Sequence, residues 1–95
     1  MRAMVGTVRS RWVTGLRSKV ENILCREIGD GMLVGRAIIR GVDMVEVLEV
    51  SFVPGENDEP SIQRNGNEVV FTYPVRRGQS VEDVYYPLMG LLNRV

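Results

Sequence analysis

The sequence predicts an α+β fold: an N-terminal helix, an antiparallel β-meander of three to four strands and a C-terminal helix, packed as a two-layer sandwich. Three observations predict it. From Val5 to Ile28 apolar residues recur at three to five positions, mostly four, which is helical spacing. From Met32 to Val53, and again near Val69, the period is two. After Ser80 the helical spacing returns. All 95 residues are read as one α-β-β-β-α domain, a length that holds one modest core.

The first helix is expected from about Val8 to Ile28, on a stripe of Val8, Trp12, Leu16, Val20 and Ile23. Gly29 stands where a C-terminal stop belongs, and Asp30-Gly31 completes the turn. "MLVGRAIIR" then places Leu33, Gly35, Ala37 and Ile39 on one face of a strand. Beyond the connection "RGVD", "MVEVLEVSFV" puts Leu48, Val50 and Phe52 on one face and Val45, Val47 and Val53 on the other. Two such runs this close read as a hairpin. "PGENDEP" is an acidic loop. Asn65-Gly66 is a strong hairpin signal, joining a strand around Ser61–Arg64 to one around Asn67–Tyr73, with Pro74 at its end or edge. Ser80 with Asp83 forms a variant capping box. Pro87 falls inside the stripe that follows, so a kink or break is expected there.

Gly29, Gly31 and Gly35 approach the spacing of a phosphate-binding loop. That chemistry needs strand, glycines and helix in that order, so that helix N–H groups meet the anion. Here the glycines follow a helix and precede a strand. They are read as a stop, a turn and a close backbone approach, and no cofactor is expected. Cys25 is the single cysteine and there is no histidine, so a Cys–His nucleophile is excluded. Cys25 falls opposite the apolar stripe, as a surface thiol. "ENDEP" lacks the spaced ligands of a calcium loop. No catalytic or metal residue is assigned; Tyr73, Tyr85 and Tyr86 are the remaining polar aromatic groups, and no small-molecule substrate is evident.

Formal net charge is zero, which argues against a whole-domain nucleic-acid footprint. The charge is uneven: residues 1–40 carry eight basic groups against three acids, and residues 41–70 carry seven acids against Arg64 alone. Arg9, Arg11, Arg17, Lys19, Arg76 and Arg77 are the candidate nucleic-acid contacts. The first twenty residues hold five basic groups and no acid, a transit-peptide composition. The apolar pattern runs on past residue 20, which favours a helix kept in the fold. The single cysteine, unable to form an internal disulfide, points to a reducing, cytoplasmic compartment, with organellar targeting of the N-terminus as the alternative. No apolar run is long enough for a membrane span.

The strands carry the main functional expectation. If the helices cover one sheet face, the other should read polar, yet Val45, Val47, Val53, Val70 and Thr72 stand on it. Such a face suits another chain; the competing explanation is one helix on each face. The expectation is therefore a non-catalytic assembly or adaptor module, a homo-oligomer or the binder of a protein partner through a sheet face or edge. A nucleic-acid-binding module is the alternative.

Overall fold

Two hairpins, brought together by their inner strands, make most of the sheet. The computed structural model describes residues 11–26, 28–55 and 57–95. In chain order the elements are β1 (Trp12–Thr14), α1 (Leu16–Leu24), β2 (Gly31–Arg40), β3 (Met44–Pro54), β4 (Ser61–Asn65), β5 (Glu68–Val75) and α2 (Val81–Leu92). The sheet order is β1-β3-β2-β5-β4. Every pairing is antiparallel except β1 with β3, so the fold is α+β with a mixed, mostly antiparallel sheet.

This order departs from a meander. After β3 the chain crosses to the far edge and returns as β4 and β5, with β5 beside β2. Asn57 fixes the crossing: its side-chain N–H2 donates to the Gly31 carbonyl at 2.7 Å and to the Val75 carbonyl at 3.1 Å. One side chain thereby joins the ends of β2 and β5.

The first helix is shorter than its periodicity predicts. Trp12, Val13 and Thr14, aromatic and β-branched, form a strand instead. Gly15 separates the two elements with φ +82°, a conformation that ends any helix pattern across it. Its backbone also passes close to β3, where an added Cβ would stand 3.0 Å from the Val47 carbonyl oxygen. The helix closes at Cys25, not at Gly29, and Gly31 is the first residue of β2 rather than part of a turn. Val5, Val8 and the basic residues before Arg11, including Arg9, lie outside the described residues.

The strand β2 alternates as its sequence does, with Leu33, Ala37 and Ile39 buried. These residues join Val69, Phe71 and Val75 of β5, Leu16, Val20 and Ile23 of α1, and Val84, Leu88 and Leu92 of α2 in one buried cluster. The apolar stripes of both helices therefore join the same buried cluster as these sheet residues. Gly35 is buried beside them because the Phe71 ring occupies the space of its missing side chain. The β4–β5 turn is Gly66-Asn67, with Gly66 at φ +66°. The Ser80–Asp83 capping box is present in both directions, and α2 continues through Pro87 without a break.

One residue alters the reading of β3. Arg36 pairs with Glu49 and Ala37 with Val47, so Leu48 is an extra residue in the ladder, a β-bulge. The bulge reverses the alternation. Val45 and Val47 face the helices and are 0 % and 3 % exposed, on the same face as Val50 and Phe52. Two of the residues expected on the second face are thus core.

Candidate interaction surface

On the side of the sheet opposite the buried cluster, the described groups are side chains of β1, β3, β2, β5 and β4. Pairing arranges them in rows. Trp12, Met44 and Arg40 form one; Thr14, Glu46, Ile38, Glu68 and Asn65 the next. Glu49, Arg36, Val70 and Gln63 follow, with Leu48 of the bulge, then Ser51, Val34, Thr72 and Ser61. Met32, Val53 and Pro74 make the last row, where the Asp58 N–H lies 3.3 Å from the Met32 sulfur. Of the expected interface residues, Val53, Val70 and Thr72 are here. Trp12, which the helix reading placed in the core, joins them.

Four apolar groups of this face stand in water, while Met32, Val34, Ile38 and Met44 are half-buried. Trp12 is 76 % exposed, Val53 51 %, Val70 42 % and Leu48 38 %. Between them the charges are paired within the face. The Arg36 guanidinium reaches Glu49 at 3.4 Å and Glu68 at 3.2 Å, and Arg40 reaches Glu46 at 3.0 Å. The hydrogen bond to Glu49 holds the Arg36 guanidinium more firmly protonated than usual.

The basic residues divide into two groups. Arg11 and Arg17 are engaged inside the molecule. The Arg11 backbone N–H donates to the Asn93 side-chain oxygen at 2.6 Å, its Nε to the Val42 carbonyl at 3.3 Å and its Nη1 to the Val95 carbonyl. This bolts β1 to the end of α2 and to the β2–β3 turn. Arg17 bridges α1 and α2, with Nη2 2.5 Å from Glu82 Oε2, Nε 3.6 Å from Glu21, and its guanidinium 5.2 Å from the Tyr85 ring centroid. The hydrogen bond between them raises the Arg17 pKa and lowers that of Glu82.

Lys19, Arg26, Arg76 and Arg77 form no ion pair among the described residues. They flank two open hollows on either side of Ile28: Lys19 and Arg26 toward β3, Arg76 and Arg77 toward the turn before α2. The sequence names Lys19, Arg76 and Arg77 among the candidate contacts but not Arg26, whose place just past α1 depends on where that helix stops. Cys25 is exposed, in line with its side of the helical wheel. The three tyrosines are spread: Tyr73 beside Pro87 and Leu91, Tyr85 and Tyr86 edge to face on α2 at 5.1 Å. Among the described residues no helix is long and apolar enough to cross a membrane. Comparison with family models, curated proteins and solved structures finds no match.

Proposed function

We propose that the chain is a non-catalytic assembly or adaptor module, a two-layer sandwich that self-associates through the uncovered face of its sheet. One observation carries the reading: Trp12, Leu48, Val53 and Val70 are exposed on the same face, away from the helices. Burying such groups against a second copy is favourable at about 25 cal/mol per Å² of apolar area. The internal pairing of Arg36 and Arg40 supports it further. A face whose guanidinium groups already hold carboxylates can meet its own copy with little like-charge repulsion.

Solution mass and the emission of Trp12, the single tryptophan, test the reading together. Self-association through this face gives a mass at least twice the monomer's and a blue-shifted emission that returns to the red on dilution. A monomer at every concentration, with water-exposed emission throughout, overturns it.

A second reading, nucleic-acid binding, draws on Lys19, Arg26, Arg76 and Arg77, which flank adjoining hollows. Its support is weakened by the engagement of Arg11 and Arg17. It predicts affinity falling steeply with salt, through release of counterions.

A further inference from the structure

The strand β3 has eleven residues, but β1 covers only Met44–Glu46 of its outer edge. No other described strand pairs with the rest of that edge. The direction of its backbone groups follows from one hydrogen bond. The Ile39 N–H donates to the Asn67 carbonyl, on the β5 side of β2. Backbone groups alternate sides along a strand, so the odd residues of β2 turn toward β5 and the even ones toward β3. Ser51 and Val53, opposite Val34 and Met32, are therefore bonded to β2. Val50 and Phe52 turn their N–H and C=O groups to the free edge, and no described backbone or side-chain group meets them there.

The side chains of Val50 and Phe52 lie on the helix side. There they line an open hollow of about 590 Å³ together with Ile23, Ile28, Lys19 and Arg26. A strand edge beside an apolar floor with two cations is the arrangement in which an added strand gains both backbone bonds and side-chain selectivity. The Leu48 bulge before it and Pro54 after it confine the open window to Glu49–Val53, which limits unrestricted sheet growth.

We infer that the β3 edge binds an extended acidic segment of a partner protein, which adds a strand along Glu49–Val53 and sets its carboxylates against Lys19 and Arg26. The inference deepens the adaptor reading and rests on it only in taking the protein to act by binding other chains; the edge and the uncovered face are separate surfaces. Charge selects the occupant. A second copy paired antiparallel on this edge would bring α1 beside its own copy and set Lys19 and Arg26 near the same cations, which is repulsive. The other edge strand, β4, carries Ile62 as its single apolar residue.

The test is a titration of the full chain with two labelled peptides, Glu-Val-Glu-Val-Glu-Val and Lys-Val-Lys-Val-Lys-Val, read by anisotropy and by amide exchange. The acidic peptide should bind and slow exchange at the Val50 and Phe52 amides, while Ser51 and Val53 are slow throughout. The basic peptide should bind at least about tenfold more weakly. Lys19→Glu with Arg26→Glu should reverse the preference. N-methylation of alternate backbone amides in the acidic peptide should abolish binding in one of the two registers. Equal binding of both peptides, no binding up to about 1 mM, or unaltered exchange at Val50 and Phe52 overturns the inference. So does a doubled mass accompanied by protection of these two amides without peptide, because a second copy then holds the edge. A monomer that still binds the acidic peptide in this way sinks the self-association reading alone.

Discussion

The ring of Phe71 lies against the backbone of Gly35, filling the volume a side chain there would need. The two are directly paired between β5 and β2 in the middle of the sheet, and Phe71 is fully buried. Gly35→Ala should cost about 1–3 kcal/mol, the usual penalty of overpacking. Thermal unfolding measures it. Phe71→Leu in the same chain should recover part of the loss, because the clash belongs to the pair.

The Leu48 bulge makes an unusual deletion tolerable. Without Leu48 the strand still offers Val47 to Ala37 and Glu49 to Arg36, now in regular alternation. Deleting Leu48 should leave a folded protein, with stability changed by about 1 kcal/mol. Deleting Val50 instead either shifts Ser51 through Val53 to the wrong face or, with the bulge absorbed, turns the Glu49 carboxylate into the core opposite Gly35. Circular dichroism and denaturant titration should show the first variant folded and the second unfolded or strongly destabilised.

Glu82 has a lowered pKa because it accepts a hydrogen bond from Arg17. Its ionised form is favoured in the folded state, so its contribution is present above the ordinary carboxylate value of 4.5 and is lost as pH falls through the lower folded value. Both side chains are exposed, which keeps the effect small. Glu82→Gln should be slightly less stable than the parent at neutral pH, and the two curves should converge in acid. Persistence of the difference in acid would contradict the assignment.

Asn57 joins β2 and β5 through two carbonyls at the crossing from β3 to β4. Asn57→Ala should cost about 1 kcal/mol, the net worth of an ordinary hydrogen bond lost between groups that keep their ladder partners. Hydrogen exchange should localise the loosening to Gly31 and Val75.

Val70 is exposed beside Arg36 on the uncovered face. Val70→Glu should preserve the fold and reduce any self-association by about tenfold or more, since it sets a charge in the middle of the contact. Light scattering reads the result, with Trp12 emission beside it.

Local features were legible in the sequence. The alternation of β2, the turn at Gly66 and the capping box at Ser80 each depend on residues within a few positions. What was hidden depends on partners far along the chain. Trp12 stands four residues before Leu16 and so matches a helical stripe, yet its strand exists because β3 offers an edge at Met44. The bulge at Leu48 is visible only as a mismatch with β2, so unbroken alternation puts Val45 and Val47 on the same face as Val53, whereas both are core. The strand order and the unpaired window of β3 follow from where β5 returns, which no local pattern encodes.

The bond from the Arg11 backbone to Asn93 spans 82 residues. Closing so long a loop carries an entropy cost that the two hairpins do not face. The β2–β3 and β4–β5 units can form early, on short turns. The strand β1 gains its partners only once β3 and the end of α2 are in place. Its docking should be a late event on the folding path, governing how fast the native state comes apart more than how fast it assembles.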